Sequence, residues 1–347
     1  MSDKSISASI ATIPDLHLDA LGPMVTMSSG LNGMRLPLPF ALDHVNIWLL
    51  RDGDGWTLID TGIDDGPTRT YWEERLNAIL ADLPLKRLIA THFHPDHMGL
   101  AGWLCARTGA EFWTTRTEWL TARALFHDVS DDFVDAGRRF DHAAGLDPKR
   151  IDKRAQRGNL YRTRAGAPPA SYHRVHEGDD ILIDGEAWRV MIGRGHAPEM
   201  MCLFNAAREI LIAADQVLQK ISPNISVWPA EADADPLNEY LQSLETFRAL
   251  PETTLVLPSH GQPFHGLHGR IDQLIDHHLD RLDRAVEAAG TGRSAVNIMP
   301  ALFERELDAH QLGFALGEAL AHLNHLVFKG RLVRHTEASG VNLYSRP

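Results

Sequence analysis

The chain is poor in cysteine. Its 347 residues include only Cys105 and Cys202, which stand in no CxxC pair. Two cysteines are too few for the disulfide framework of a small secreted domain, so we expect both to be ordinary buried thiols. The composition, 44% hydrophobic and 23% charged, is that of a globular protein, and the length suits one large domain or two.

The chain also lacks an excess of positive charge. Its 34 Lys and Arg residues are outnumbered by 46 Asp and Glu, which gives a formal net charge of -12. Clustered cationic side chains supply much of the affinity of proteins for phosphate backbones, so this balance disfavours a general polyanion binder. A local basic segment can still exist within an acidic chain.

Long hydrophobic runs are missing as well. Residues 1–22 show no uninterrupted apolar segment behind a basic one, which is the pattern of a secretory leader. No stretch approaches the ~20 apolar residues that cross a bilayer. We therefore expect a cytoplasmic protein without membrane association.

Short apolar runs and helical patterns alternate along most of the chain. The runs 45–50 and 56–60 flank the turn RDGDG and predict a β-hairpin. Further strands are expected at 85–91, 180–183, 187–192, 201–204, 209–213 and 254–257, and helices at 68–80, 100–108, 236–250 and 271–288. Such alternation indicates an α/β fold built in layers.

Residues 116–174 differ from this pattern. They are mainly helical, and their twelve basic and eight acidic side chains give a charge of +4 within an acidic chain. We interpret this segment as a basic insertion between strands.

The C-terminal segment has a pattern of its own. Helical patterns at 296–306 and 313–328 precede strands at 331–334 and 341–345 that can pair as a hairpin, which predicts a small winged-helix-like domain. We therefore divide the chain into an N-terminal extension (1–20), a main domain (21–265), and a helix followed by the winged-helix-like domain (266–347).

Metal-binding side chains crowd one loop. The segment THFHPDHMGLAG, residues 91–102, places His92, His94, Asp96 and His97 within six positions behind a predicted strand. Neutral imidazole nitrogens and carboxylate oxygens are ligands of borderline divalent metals such as zinc, and a turn containing proline can direct alternate side chains into one pocket. This spacing favours a metal site over a polar loop that is rich in histidine by chance.

Three more such side chains each follow a predicted strand. They are His196 in GRGHAPE, Asp215 in AAD and His260 in LPSHG. Loops at strand ends can converge on one edge of a layered fold. Each residue alone is more typical of a capping or core polar group, but their order and contexts together predict the remaining ligands of one site.

With these motifs, and with the DTG that begins at Asp60, residues 20–265 resemble the metallo-β-lactamase superfamily. The resemblance implies a four-layer αβ/βα sandwich with a two-metal site at its edge. It implies one ion on His92, His94 and His196, a second on Asp96, His97 and His260, and Asp215 between them. Asp60 is carried over as a supporting residue. With the C-terminal domain, the layout is similar to that of β-lactamase-like protein 2 type proteins.

The activity that the resemblance implies is metal-dependent hydrolysis. Two cations about 3.5–4 Å apart lower the pKa of a shared water towards ~7, and the bridging hydroxide can attack a carbonyl or phosphoryl centre. Asp96 is the expected catalytic residue, because it can orient the nucleophile or move a proton. Zinc is the expected metal for this ligand set, and iron and manganese also accept it.

The charge of one segment of the insertion narrows the expected class of substrate. Residues 149–164 contain seven basic side chains against Asp152 alone. This segment is either a solvated helix face or a cap over the metal edge that attracts an anion. The second interpretation predicts a small anionic substrate, such as an acyl-CoA, with an ester, thioester or lactone carbonyl as the reacting group.

The C-terminal segment raises two alternatives. It resembles the winged-helix appendage of β-lactamase-like endoribonucleases, which would make the chain an endoribonuclease or phosphodiesterase. Its candidate recognition helix, 313–328, carries Glu318 but no Lys or Arg, and residues 266–347 have a charge of -1. We therefore expect a structural or dimerising tail and no nucleic-acid partner. A catalytically silent metal-binding protein is disfavoured by the complete ligand set.

Several further side chains are candidates for the surroundings of the site. His265 and His268 are candidates to line it. The residues that are candidates to reach a substrate are Tyr172, His173, His176 and Asn224. In contrast, His277 and His278 are expected to be solvated on a charged helix, and the spacing of Trp113, Trp119 and Phe126 is typical of core packing.

Overall fold

Two seven-stranded sheets form the centre of the molecule, which we describe from a computed structural model that covers residues 11–12, 18–19, 24–80, 83–303 and 311–347. The first sheet follows chain order: β2 (Val25–Ser28), β3 (Leu31–Pro37), β4 (His44–Asp52), β5 (Gly55–Ile59), β6 (Leu85–Ile89), β7 (Glu111–Thr115) and β8 (His173–Val175). In spatial order the second sheet is β1 (Ala11–Thr12), β14 (Phe264–His265), β13 (Leu255–Pro258), β12 (Ile210–Ala214), β11 (Met200–Asn205), β10 (Glu186–Gly193) and β9 (Asp180–Ile183).

The two sheets pack face to face. Trp48 and Leu50 of β4 share one apolar cluster with Trp188 of β10, and apart from Leu18 every buried member of that cluster lies on a strand. Ile47 and Leu49, which alternate with them along β4, belong instead to a cluster that contains the helices. Because successive strand residues point to opposite faces, β4 is covered on both sides. The predicted α/β layered fold is confirmed.

Helices cover the outer faces of the sheets. Beside the first sheet lie α1 (Gly66–Ile79), the single turn α2 (Pro95–Met98), α3 (Ala101–Thr108) and α4 (Arg116–His127). Beside the second sheet lie α7 (Pro236–Arg248) and, behind it, α8 (Leu267–Ala289). Helix α1 begins where the carboxylate of Asp65 caps the N–H of Thr68, and α3 ends at Gly109, whose φ of 75° suits glycine.

The basic insertion runs between β7 and β8. It contains α4, α5 (Asp131–Ala143), α6 (Pro148–Ala155) and a 3-10 turn at Tyr161–Thr163. Part of its charge is paired internally, as in Arg154 with Asp141 at 2.6 Å and Arg138 with Asp152 at 2.6 Å. These pairs stabilise the contact of α5 with α6 rather than presenting a uniform cationic surface.

The C-terminal segment consists of helices and a hairpin. After α8 come α9 (Ala295–Leu302), α10 (Gln311–Phe328), β15 (Val333–Thr336) and β16 (Asn342–Ser345), and the two strands pair antiparallel with Val333 opposite Ser345. Residues 304–310, which include the end of the helix predicted at 296–306, lie outside the described residues, as does most of the predicted extension 1–20. No described helix has the length and apolar character needed to cross a membrane.

The prediction for His278 was wrong. Its side chain is fully buried between α8 and α10, where its Nδ1 lies 3.2 Å from Nε2 of His322. His322 donates its own Nδ1–H to the carbonyl of Glu318, so its bare Nε2 accepts the hydrogen bond from His278. His277 is partly buried and borders a cavity, so neither ring is simply solvated.

Candidate metal centre

All seven predicted ligands lie together where strands end. Strands β5 and β6 run parallel in the first sheet, and β12 and β13 run parallel in the second, so the carboxyl ends of each pair meet at one edge. The loop after β6 and the turn α2 carry four of the seven side chains, and the loops after β10, β12 and β13 carry His196, Asp215 and His260. The edge of the sandwich thus gathers side chains that are up to 168 positions apart, as His92 and His260 are.

These side chains form two groups that share Asp215. His92, His94 and His196 present ring nitrogens to one another, with 2.9 Å between Nε2 of His92 and Nδ1 of His94. In the second group, Oδ2 of Asp96 lies 3.5 Å from Nε2 of His97 and 3.5 Å from Nε2 of His260.

Asp215 lies between the groups and faces both. Its Oδ2 is 3.3 Å from Nε2 of His196, and its Oδ1 is 3.3 Å from Nε2 of His260. Two ligands on a tetrahedral zinc ion, each roughly 2.0–2.1 Å from it, are about 3.3 Å apart. The spacing of these donor atoms therefore suits a small divalent cation in each group.

Buried donor atoms without partners support the same conclusion. Nε2 of His97, Nε2 of His196 and Oδ1 of Asp215 have no hydrogen-bond partner among the described residues. A buried polar atom left unsatisfied costs about 1–3 kcal/mol, and folded proteins rarely tolerate several in one place. One cation in each group would satisfy them, the first at Nε2 of His196 and the second at Nε2 of His97 and Oδ1 of Asp215, so the residues fit the metals that the motifs imply.

Hydrogen bonds behind the rings of His97 and His92 fix their orientation. Nδ1 of His97 lies 2.8 Å from Oδ2 of Asp60, and Asp60 itself accepts the N–H of Thr91 at 2.8 Å and its hydroxyl at 2.9 Å. The same hydroxyl lies 3.0 Å from Nδ1 of His92. Such outer contacts decide which nitrogen faces the metal and hold the ring in place.

Backbone carbonyls do the same for the other two rings. Nδ1 of His196 donates to the carbonyl of Asn224 at 2.9 Å, and Nδ1 of His260 donates to the carbonyl of His44 at 2.7 Å. A carbonyl can only accept, so each Nδ1 carries the proton and each Nε2 offers its lone pair to the site.

The electrostatics of the site prepare these donors. Burial, reinforced by His196, lowers the pKa of His94 to about 3, and burial also holds the pKa of His92 well below its usual range. Burial opposes ionisation of Asp96 and Asp215, but the neighbouring imidazoles outweigh it and lower the pKa of both carboxyls. Burial likewise opposes protonation of His97 and His260, but Asp96 and Asp215 outweigh it and raise the pKa of both rings. A cation therefore competes with a proton at these two rings, whereas neutral His92 and His94 and the charged carboxylates are already in the forms that bind a cation.

A buried carboxylate ties two ligand loops together. Glu118, in the first turn of α4, accepts the N–H of Phe93 at 2.8 Å and the N–H of Glu199 at 2.6 Å. Phe93 stands between His92 and His94, and Glu199 follows His196 by three positions. Burial raises the pKa of Glu118 to about 7.

The insertion contacts the same loop through Tyr161. Its hydroxyl donates to the carbonyl of Phe93 at 2.7 Å. Farther along, the N–H of Asp64 donates to the carbonyl of Arg164, and the N–H of Gly166 donates to the carbonyl of Gly99, both at 2.9 Å. The returning segment of the insertion is therefore fixed beside the metal edge.

The remaining residues that were candidates for the surroundings of the site differ in whether they contact it. Asn224 belongs to the site through its carbonyl. His265 and His268 instead contact the carbonyls of Thr254 and Leu250 and do not join the ligand groups. The other aromatic candidates stack in pairs: Tyr172 on Trp119, and His173 on Trp113, while His176 contacts Asp179.

Several supporting residues were not found from the sequence. Thr91 adjoins the motif and was detectable as a hydroxyl beside His92. His44 acts through its backbone, which any residue supplies, and Glu118 looks like an ordinary acidic residue in the first turn of a helix. Nothing in the local pattern distinguishes the last two.

Comparisons with known proteins agree with this geometry. Residues 41–260 match the family model described as the metallo-beta-lactamase superfamily, and residues 282–347 match that of the metallo-beta-lactamase-like C-terminal domain. A crystal structure of a beta-lactamase domain protein from Burkholderia ambifaria is 41% identical, covers 97% of this chain and 98% of its own, and superposes with a TM-score of 0.89.

Two curated proteins are similar over most of their length. One, named probable metallo-hydrolase YqjP, from Bacillus subtilis (strain 168), is 25% identical over 89% of this chain and 95% of its own. The other, a beta-lactamase-like protein 2 homolog from Caenorhabditis elegans, is 22% identical over 76% of this chain and 70% of its own. The predicted resemblance, including the C-terminal domain, is confirmed.

Proposed function

This chain belongs to the metallo-beta-lactamase superfamily and is a metallo-hydrolase, and from that premise we propose that it hydrolyses an ester, thioester or lactone carbonyl with two divalent cations, zinc in the first instance. His92, His94 and His196 would hold one ion, Asp96, His97 and His260 the other, and Asp215 would contact both. The observation that carries this proposal is Asp215, whose two oxygens each lie 3.3 Å from a ring nitrogen of a different group.

The cations, when bound, supply Lewis acidity: they lower the pKa of water and polarise a carbonyl oxygen. The chain's own residues orient the imidazole rings and neutralise the positive charge of the site. Four imidazoles donate hydrogen bonds to Asp60, to Thr91 and to the carbonyls of Asn224 and His44. These bonds keep the rings in fixed directions, so little reorganisation is needed during a turnover.

Asp96 is the residue to which we give a catalytic role. Its side chain is 20% exposed, whereas those of His97 and His260 are almost completely buried. Its carboxylate therefore reaches the open side of the site and is held charged by the two imidazoles. We assign to it the orientation of the attacking water and the uptake of its proton.

The surroundings of α10 favour a carbonyl substrate over a nucleic acid. Twelve of its residues, from Ala315 to Leu326, are buried, so this helix is not free to enter a groove of a duplex. Several of its polar contacts go to the main domain, as in Asn324 to the carbonyls of Ala232 and Ala234. These contacts support a structural role for the C-terminal segment.

The test is thiol release from a panel of acyl-CoA thioesters by the zinc-loaded protein. We expect turnover in the wild type, none above background in His94→Ala, and a loss of at least 100-fold in Asp96→Ala at saturating zinc. The exposed-surface variant Lys153→Gln serves as the control for handling. Full turnover by Asp96→Ala would refute the catalytic role, and no turnover of any thioester, ester or lactone would refute the proposed reaction.

A further inference from the structure

A large cavity lies between the main domain and the C-terminal helices. Its volume is about 1180 Å³, and its walls are the loop of residues 39–42, the loop of residues 220–224, and side chains of α8 and α10. Phe40, Leu42, Phe303 and Phe314 give it an apolar lining. Ligand pockets in proteins commonly measure ~300–1000 Å³, so this space admits an elongated organic molecule. We refer to it as the side cavity.

The side cavity is cationic although the protein is acidic. Among the described residues that line it, Lys220, Arg270, Arg281 and Arg284 are cationic and Glu318 alone carries a carboxylate. Arg281 is ion-paired with Glu318, and Arg270 donates to the carbonyls of Leu218 and Ile221, so these charges are partly engaged. Lys220 is exposed and has no ion-pair partner among the described residues, which leaves its charge to a ligand.

The side cavity shares two walls with the metal centre. Asn224 lines it and, through its carbonyl, holds His196. The loop that contributes Phe40 and Leu42 continues to His44, whose carbonyl holds His260. A molecule in the cavity is therefore placed beside the residues that orient one ring of each ligand group.

A further cationic side chain, that of Arg164, lies where the side cavity borders the metal centre. The guanidinium of Arg164 lies over the ring of Phe40, 4.7 Å from its centroid, and makes no salt bridge to any described carboxylate. Its backbone carbonyl is held by the N–H of Asp64, so the side chain starts from a fixed point. Burial and the nearby Arg157 lower the pKa of Arg164, and the attraction of Asp96 partly offsets them, which places Arg164 within electrostatic reach of the metal edge. Arg164 is one of the basic residues of 149–164 that were predicted to form a cap over the metal edge, and its contact with Phe40 places it beside the side cavity.

We propose that the side cavity, with Lys220 on its wall and Arg164 against Phe40, binds a substrate that carries an anionic group and an apolar segment on either side of the scissile carbonyl. This inference rests on the proposed hydrolysis and names its substrate class: anionic acyl esters or thioesters. The anion is either a phosphate on the leaving group, as in a coenzyme A thioester, or a carboxylate at the far end of the acyl chain. Both contact the same two cations.

Binding of non-hydrolysable thioethers tests the site separately from catalysis. The probes are S-octyl coenzyme A, the neutral S-octyl-N-acetylcysteamine, and S-(7-carboxyheptyl)-N-acetylcysteamine, measured by calorimetry on the metal-loaded protein at constant salt. We expect at least one anionic probe to bind 10-fold or more tightly than the neutral probe, and the preferred probe identifies the source of the anion. Equal affinity for all three probes would overturn the proposal.

Substitutions test whether Lys220 and Arg164 are the source of the preference for anionic probes. Lys220→Gln and Arg164→Gln should each lower the affinity for the anionic probe several-fold more than that for the neutral probe, and Arg164→Lys should restore part of it. Lys153→Gln removes the same charge from the exposed surface of α6 and should change neither affinity. A preference unaltered in both cavity variants, or lost equally in Lys153→Gln, would refute the site.

Turnover of octanoyl coenzyme A, S-(7-carboxyheptanoyl)-N-acetylcysteamine and the neutral S-octanoyl-N-acetylcysteamine is measured in parallel. Its absence in the wild type would count against the proposed hydrolysis, while the thioether affinities would still decide whether the cavity binds anions. Turnover without an anionic preference would retain the hydrolase and remove the substrate class.

Discussion

Oδ2 of Asp60 and Nδ1 of His97 are joined by a 2.8 Å hydrogen bond in which both side chains are buried. Asp60 has a φ of 64° at the end of β5, a backbone conformation that is uncommon outside glycine. The chain thus accepts a strained turn at the position where a carboxylate can hold His97 with its Nε2 towards the site.

Replacing this carboxylate should weaken metal binding without removing a ligand. Asp60→Asn places an amide N–H₂ against either His97 or the N–H of Thr91, both of which donate to Asp60. We expect zinc affinity to fall by about 10- to 100-fold, the usual effect of losing such a contact. Zinc per chain after dialysis in chelator-buffered zinc measures it. Asp54→Asn, in the exposed turn before β5, should retain full occupancy.

The stability of the protein should depend on the ionisation of Glu118. Its pKa is raised from 4.5 to about 7, so this group favours the folded state below pH ~4.5 and loses that contribution as the pH rises through about 7. The difference in unfolding free energy between wild type and Glu118→Gln should therefore shift by about 3 kcal/mol against the wild type between pH 4.5 and 8. Urea unfolding at both pH values measures the shift. A difference that does not vary with pH would mean that Glu118 is charged throughout.

Tyr161→Phe should loosen the loop that carries His92 and His94. The substitution leaves the carbonyl of Phe93 without the hydroxyl that donates to it at 2.7 Å, at a cost of about 1 kcal/mol. We expect a lower thermal midpoint and a lower kcat with the metal content preserved. Tyr172→Phe removes a hydroxyl from another aromatic residue of the insertion and should leave both quantities unchanged.

The histidine pair between α8 and α10 should make the protein sensitive to acid. Burial lowers the pKa of His322 to about 3, so its contribution to stability is present above pH ~6.5 and is lost as the pH falls towards 3. Relative to His322→Gln, the wild type should lose about 3 kcal/mol between pH 6.5 and 4. Urea titrations at the two pH values give the comparison. His335→Gln, on the exposed strand β15, should follow the wild type.

Two glycines in helices should respond to alanine with opposite signs. A Cβ on Gly102 would lie 2.0 Å from the carbonyl oxygen of Ala167, so Gly102→Ala must displace the returning segment of the insertion. A Cβ on Gly137 of α5 would meet no atom within 4 Å. We expect Gly102→Ala to destabilise by 2 kcal/mol or more, roughly the range of overpacking, and Gly137→Ala to stabilise by about 0.5–1 kcal/mol. Thermal unfolding of both variants decides this.

The sequence predicted the elements whose patterns are long or alternate cleanly. The hairpin β4–β5 and the strands β9 to β13 were found to within two residues, whereas β3 was missed. Its sequence LNGMRLP contains Gly33 and Arg35, which break the apolar pattern. Arg35 is nevertheless buried, because its guanidinium donates to Asn46 and to the carbonyl of Gly261, in the loop that joins β13 to β14 of the other sheet. Only the packing of the two sheets shows that these hydrogen bonds compensate for the burial of the Arg35 charge.

The residues of the candidate site also differ in whether the sequence pattern alone could reveal them. Its seven ligand candidates were visible because few other functions gather His and Asp behind strand ends. Glu118 and His44 were not, because their roles depend on residues more than 80 positions away. His278 was misjudged for a related reason: α8 presents two faces of mixed polarity, and the packing of α10 decides which is covered.

Glu318 of α10 accepts a hydrogen bond from the side chain of Asn224 at 3.0 Å, and the carbonyl of the neighbouring Gly317 accepts the N–H of Val227 at 3.1 Å. The residue that orients His196 is thus itself supported by the C-terminal segment. Although the chain matches two separate family models, exchanging the C-terminal segment for that of a distant relative would disturb the catalytic edge unless the 224–227 loop were exchanged with it. The 224–227 loop and the C-terminal segment therefore form one structural unit, which the design of a chimera must transfer whole.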